Sequence, residues 1–296
     1  MISIIITSLT VIGKNYCSYL IPVHNRGISS LTQQGDLNKL FIGSSSFRSN
    51  LDIMQLDGQF DHSTFILAYG GNQYIATDIQ YDEIKQRSSQ RFDTIVIELN
   101  PMLLAEEVKL SDTRVTWDLS WEGKKRLWKS MAEYSNVSFP LFYEYFITSG
   151  MDDLITYPLT EPFYATRYYK GAKTDNTSPG SLEYLDNEKI DISGLQPVYA
   201  QEEALRSLIT KCREDGQDFI FLETPHYYRL QDNADYQRLL ECATDTLRKN
   251  EAPYILASDV DFDYHNPEYF EDLSHMSAAG RTEYTSAVIS MLSDDR

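Results

Sequence analysis

Five short runs of the chain are almost wholly apolar: KLFIG (Lys39–Gly43), TFILAY (Thr64–Tyr69), DTIVIEL (Asp93–Leu99), DFIFLE (Asp218–Glu223) and PYILAS (Pro253–Ser258). None alternates polar with apolar positions, so each suits a strand covered on both faces. Between them the apolar positions recur at helical spacing. YIATDIQYDEIKQRSS follows the second run, WEGKKRLWKSMAEYS the third and DYQRLLECATDTLRKN the fourth, while QEEALRSLITKCRED precedes the fourth and SAAGRTEYTSAVISML closes the chain. Parallel strands need crossover connections, so buried strands alternating with helices predict a parallel sheet sandwiched by helices. The expected architecture is one three-layer α/β/α domain over residues 31–296, built on a five-stranded parallel sheet.

Two segments break this rhythm. Residues 149–196 are rich in Tyr, Pro, Gly and Asn and show no period. A stretch of that length without regular structure is uncommon in a compact domain unless it is a lid or a binding insertion. Its tyrosines Tyr164, Tyr168 and Tyr169 can stack on sugar rings or pack the insertion down. Residues 1–30 open with MISIIITSLTVIG, apolar enough for an anchor but without a basic flank. Lys14 and Asn15 interrupt its extension to spanning length, where each is costly in a bilayer. An anchor remnant and a buried strand and helix stand as equal readings.

A formal charge of −18 over 296 residues repels phosphate backbones and anionic membranes, which argues against a nucleic-acid partner. The three cysteines, Cys17, Cys212 and Cys242, have no metal-ligand spacing. Cys212 and Cys242 fall in predicted helices, as core residues do. There is no dinucleotide fingerprint and no phosphate-binding loop, so no cofactor is expected. DVDFDYHNPEYFED groups Asp259, Asp261, Asp263, His265 and Asp272. Its spacing is not that of a calcium loop, and no catalytic metal is expected.

The chemistry lies at strand ends, where open parallel sheets collect it. Gly43-Ser44-Ser45-Ser46 terminates the first run. Ser45 or Ser46 there can cap a following helix, FRSNLDIMQ. Near the other end of the chain, DLSH spaces Asp272 and His275 three apart. That spacing lets the carboxylate accept the imidazole Nδ1–H and leaves Nε2 free as a base. Such a base is what a serine hydroxyl needs to act as a nucleophile.

FIGSSS resembles the first block of the SGNH, or GDSL-type, hydrolases, with Ser44 where many members have Asp. YFEDLSHMSAAG is similar to their last block. The resemblance implies a flavodoxin-like fold, Ser45 as nucleophile, His275 as general base and Asp272 as its orienting partner. It implies an oxyanion hole from the backbone N–H of Ser45, the N–H of Gly71 in AYGGNQ, and an asparagine after the third strand. Asn100 in ELNPML is the available asparagine, although strict register places Met102 there. His226 in FLETPHYYRL is similar to a pocket-lining position, with Tyr164 and Tyr168 as further substrate contacts; the alternative makes His226 the base and DLSH only a cap. The first block and the long insertion are most similar to the branch of cell-envelope O-acylation proteins. That implies an acyl hydrolase or acyltransferase acting on O-acyl, above all O-acetyl, groups of a carbohydrate or envelope polymer. It also implies a membrane-bound O-acylation partner and an extracytoplasmic location, with a cytoplasmic one left open. A non-catalytic carbohydrate-binding or assembly protein is the rival reading.

Overall fold

The structure is a computed structural model. It describes residues 27–88, 91–135 and 168–294, with isolated positions at 8, 12, 138, 140 and 145. Strands β1 (Lys39–Gly43), β2 (Thr64–Ala68), β3 (Thr94–Glu98), β6 (Phe219–Leu222) and β7 (Tyr254–Ile255) form one sheet, with a separate hairpin of β4 (Tyr168–Tyr169) and β5 (Ala172–Lys173). The sheet order is β2-β1-β3-β6-β7 and every pairing within it is parallel. This is the flavodoxin-like order, in which β1 lies between β2 and β3 at the switch point of the topology. The five apolar runs are therefore the five strands, though the last is shorter than its run. A short 3₁₀ turn at Ala257–Asp259 ends it.

The helices divide between the two faces as that topology requires. Helices α1 (Ser45–Asn50) and α2 (Ile53–Gln59) pack with the C-terminal α7 (Ala278–Asp294) on one face. Helices α3 (Tyr74–Arg87), α5 (Tyr199–Glu214) and α6 (Ala234–Lys249) cover the other, and α4 (Trp121–Tyr134) packs outside α3. In α6 the buried positions Tyr236, Leu239, Leu240, Ala243 and Leu247 follow the 3.6-residue period, and Asn233 caps it by accepting the N–H groups of Asp235 and Tyr236. α3 has no clear stripe because it is sandwiched between the sheet and two helices, and it is buried over most of its length. Its Asp78 is met by Lys211 Nζ at 2.7 Å and Arg126 at 3.2 Å. The sheet core includes aromatic rings: Phe41, Phe65 and Phe221 are fully buried. Truncating one of these to alanine costs about 3–5 kcal/mol.

The expected single helix FRSNLDIMQ is two. The chain extends at Leu51 and Asp52, and the Asp52 carboxylate recaps α2 through the N–H groups of Met54 and Gln55. The described part of the insertion is also more ordered than its sequence suggests. It holds the hairpin and a helix at Leu182–Asn187. Ile66 on the sheet edge donates its N–H to Lys170 O at 2.9 Å, which covers an otherwise open strand edge. Gly171 permits this approach: its φ is +91°, and a Cβ there would lie 1.7 Å from Ile66 O. Lys170 Nζ and Tyr169 OH both bond Asp57, at 2.7 and 3.0 Å. Tyr169 thus packs the insertion down. Tyr164 and most of residues 1–30 lie outside the described residues, and of Tyr168 only the backbone is described. Among the described residues no helix is long and apolar enough to cross a membrane.

Candidate active site

β1 ends at Gly43, and the chain turns into α1 with Ser44 extended at the N-cap. Ser44, not Ser45 or Ser46, is therefore the capping serine, its Oγ accepting the Ser46 N–H at 3.3 Å. That frees Ser45, at the first helical position, to turn its hydroxyl outward; it is half-buried. Its N–H is among the four that a helix leaves without an internal acceptor.

On the other side of the site, residues 271–275 form an irregular turn ahead of α7, which begins at Ala278. Asp272 Oδ1 accepts the N–H groups of Ser274 at 2.7 Å and His275 at 2.8 Å. Asp272 Oδ2 lies 2.8 Å from His275 Nδ1, and His275 Nε2 lies 3.0 Å from Ser45 Oγ. Burial alone would raise the Asp272 carboxyl, but the hydrogen bond and charge of His275 and these two N–H groups outweigh it and hold it below its ordinary value. An ionised Asp272 accepts Nδ1–H, so Nε2 carries the lone pair toward the serine. Residues 230 positions apart thus form a continuous hydroxyl–imidazole–carboxylate chain, the arrangement that can activate a serine.

A buried clamp fixes that approach. Asn50, the last residue of α1, donates Nδ2–H to Ser274 O and accepts the Met276 N–H, both at 2.9 Å. The two contacts straddle His275. The Phe270–Met276 bridge and the Glu271 N–H to His275 O bond at 2.8 Å hold the turn from within.

The expected oxyanion donors emerge at adjacent strand exits, because β1 pairs with β2 up to Gly43–Ala68 and with β3 up to Ile42–Ile97. Gly71 is in a turn with φ +57°, and a Cβ there would meet Ser111 Oγ at 2.6 Å. Asn100 is committed elsewhere. It N-caps the short helix Pro101–Ala105 by accepting the Met102 N–H at 3.1 Å, and its Nδ2 donates to Glu98 Oε1 at 3.2 Å.

Glu98 was not apparent from the apolar pattern. It ends β3, is buried, and accepts both the N–H of Ser44 and the Ser44 hydroxyl, the latter at 2.9 Å. Glu223, just past β6, is a second buried carboxylate, held by Gln231, Tyr236 OH and the Ala257 N–H at 2.9 Å each. The signal for both was a glutamate closing a buried apolar run, where charge is costly unless paired.

It is the His275 ring, not that of His226, whose nitrogen meets Ser45 Oγ. His226 is buried, its ring edge-on to Tyr236 at 5.2 Å, and its Nδ1 has no hydrogen-bond partner. Burial, helped by the neighbouring charge of His275, holds it neutral with a pKa of about 3. Among the described residues no group of three or more His, Cys, Asp or Glu side chains is arranged to hold a metal. Asp259 and Asp263 instead accept local N–H groups, from Leu256 and His265. Cys212 is buried, with burial pushing its thiol up to about 12, and Cys242 is half-buried.

No family model matches the chain, and no curated protein does. Solved structures similar to it include a Streptococcus pneumonia protein provisionally named a platelet activating factor (13% identical, TM-score 0.44, covering 99% of this chain and 98% of that one). Others are a GDSL-like lipase from Bacteroides thetaiotaomicron (11%, 0.41, 91% and 95%) and an acetylxylan esterase from Geobacillus stearothermophilus (13%, 0.37, 86% and 94%). Likeness at these scores carries no argument about function, which rests on the chain's own residues. The flavodoxin-like strand order and the Ser45–His275–Asp272 chain at the strand ends agree with what the resemblance to SGNH/GDSL-type hydrolases implies.

Proposed function

We propose that the protein is an SGNH-type serine esterase or O-acyltransferase acting on O-acyl, above all O-acetyl, groups of a carbohydrate or cell-envelope polymer. The observation that carries this reading is the unbroken chain from Ser45 Oγ through His275 to Asp272. Ser45 Oγ attacks the acyl carbonyl while His275 Nε2 takes its proton. The oxyanion is received by the N–H groups of Ser45 and Gly71, and His275 returns the proton to the departing alcohol. Water or a sugar hydroxyl, deprotonated by the same Nε2, then releases the acyl group. Hydrolysis and transfer share every step but the last, so the acceptor decides between them.

The side chains of His275 and Asp272 are 28% and 30% exposed, which suits a substrate that is part of a polymer and meets the site from solvent. A neutral polysaccharide also avoids the repulsion that the acidic surface imposes on polyanions. In this reading Tyr164 and Tyr168 contact the substrate, whereas His226 is buried and does not reach it, and a membrane-bound O-acylation partner supplies or receives the acyl group outside the cytoplasm. One observation favours the rival, a binding or assembly protein that has lost turnover: the Asn100 amide already caps a helix and bonds Glu98. One oxyanion donor is typically worth about 10²–10³ in rate. A fluorophosphonate probe separates the two. The enzyme reading predicts labelling that Ser45→Ala abolishes; folded protein that resists labelling supports the rival.

A further inference from the structure

The turn that presents the nucleophile rests on a residue that the proton-transfer chain does not use. Glu98 accepts three hydrogen bonds, from the N–H of Ser44, from Ser44 Oγ at 2.9 Å and from Asn100 Nδ2 at 3.2 Å. It occupies the space that a side chain at residue 43 would need: a Cβ on Gly43 would lie 2.4 Å from Glu98 Oε2. Gly43 is therefore the glycine of the block because Glu98 lies against it. All the groups on the carboxylate are donors, a set matched by the ionised form, which only accepts.

We propose that Glu98 is a positioning residue for acyl transfer, its carboxylate locking the Ser44 N-cap, and the neighbouring Asn100 turn with it, so that Ser45 Oγ and the Ser45 N–H face one carbonyl. The inference rests on the reading of Ser45 as nucleophile. Glu98 touches no reacting atom and acts through Ser44 and Asn100. Burial pushes its carboxyl above the ordinary carboxylate value, against the pull of its hydrogen bonds and of His275. With the folded value raised, its contribution to stability is present below the unfolded value and lost as pH rises through the folded one. Ionised Glu98 therefore works against the fold. A group with that cost and a place beneath the nucleophile serves the site better than it serves stability.

The other titratable groups facing Glu98 are His275 and the hydroxyls of Tyr74, Tyr236 and Tyr284. Burial pushes all three tyrosines upward, so they stay neutral. Protonating Glu98 puts a hydrogen among three donors and breaks the lock. Glu98→Gln does the same at every pH. It can still accept the Ser44 N–H, but it confronts the Asn100 amide with another N–H.

The test is the pre-steady-state acylation rate with p-nitrophenyl acetate for the wild type, Glu98→Gln and Ser45→Ala across pH, alongside urea unfolding. A displacement near 1 Å at the nucleophile predicts a fall of about 10- to 100-fold in acylation for Glu98→Gln, with KM unchanged. The urea midpoint at mildly alkaline pH should be no lower than that of the wild type. The ratio of the two rates should narrow as pH falls and Glu98 itself is neutralised. Equal rates across pH, or a loss matched by loss of folded protein, would overturn the role of Glu98 alone. Wild-type acylation that Ser45→Ala leaves intact would overturn the nucleophile assignment, and this inference with it.

Discussion

Asn50 offers the sharpest test of how a residue near the start of the chain is brought to one near its end. Its side chain is fully buried and makes two neutral hydrogen bonds, to Ser274 O and from the Met276 N–H. Asn50→Ala removes both, and nothing else nearby is shown to replace them. Two such bonds contribute about 2 kcal/mol together, and leaving the buried Met276 N–H unmatched adds about 1–2 more. The expected destabilisation is therefore about 3–4 kcal/mol. A second effect is local. With the residues on both sides of His275 released, the 3.0 Å separation between Nε2 and Ser45 Oγ is no longer fixed. A shift of about 1 Å costs about 10²-fold in rate. Asn50→Asp keeps an acceptor for Met276 but sets a carboxylate against the Ser274 carbonyl, so it should fall between the wild type and alanine in stability. Urea unfolding measures the first effect, and the p-nitrophenyl acetate burst rate per folded molecule measures the second. If Asn50→Ala acylates at the wild-type rate per folded molecule, the clamp does not position the base and this reasoning fails.

Asp272→Asn should lower the acylation rate by about three to four orders of magnitude, because an amide facing Nδ1 can hold the wrong imidazole tautomer; a loss below tenfold would show that Asp272 orients nothing. His226→Phe should alter stability mainly on the acid side. A histidine held down to about 3 from 6.5 stabilises the fold above the higher value and loses that contribution as pH falls between the two, by no more than about 5 kcal/mol. Wild-type stability should therefore drop across that window while His226→Phe stays flatter, and parallel urea midpoints would contradict it. Asp57→Asn leaves Lys170 buried without its counter-ion and should cost about 3 kcal/mol at neutral pH. Burial opposes ionisation of Asp57, but Lys170, the Thr64 N–H and Tyr169 lower its carboxyl below 3.8. Its stabilisation is then lost as pH falls through that depressed value, so the variant and the wild type should converge in acid.

The fold was legible because its strands are continuous apolar runs: in β1 and β2 every residue is buried, a pattern that only a sheet covered on both faces produces. The pairing of Asp272 with His275 was legible from their spacing, while Ser45 was singled out among the three serines only by the resemblance of FIGSSS to a family block. The partition of α1 from α2 was not. It depends on Asp52, whose capping role could be read only once Leu51 was seen to extend. Asn50 was invisible for a similar reason, since a buried amide bridging residues more than 220 positions away leaves no periodic mark. Glu98 and Glu223 left a mark that looks like a strand boundary, because a glutamate after three or four apolar residues reads as the return to solvent. Their burial follows from neighbours on other elements, Ser44 and Asn100 for one, Gln231, Tyr236 and Ala257 for the other.

The most direct measurement is the mass of the protein quenched in acid during the p-nitrophenyl acetate burst, followed by peptide mapping. A single acetyl group on Ser45 is the result predicted here. It should be absent in Ser45→Ala and slow to form in His275→Ala. Acetylation confined to lysines, or a Ser45 adduct that forms as fast without His275, would contradict the central claim that this imidazole makes that hydroxyl a nucleophile.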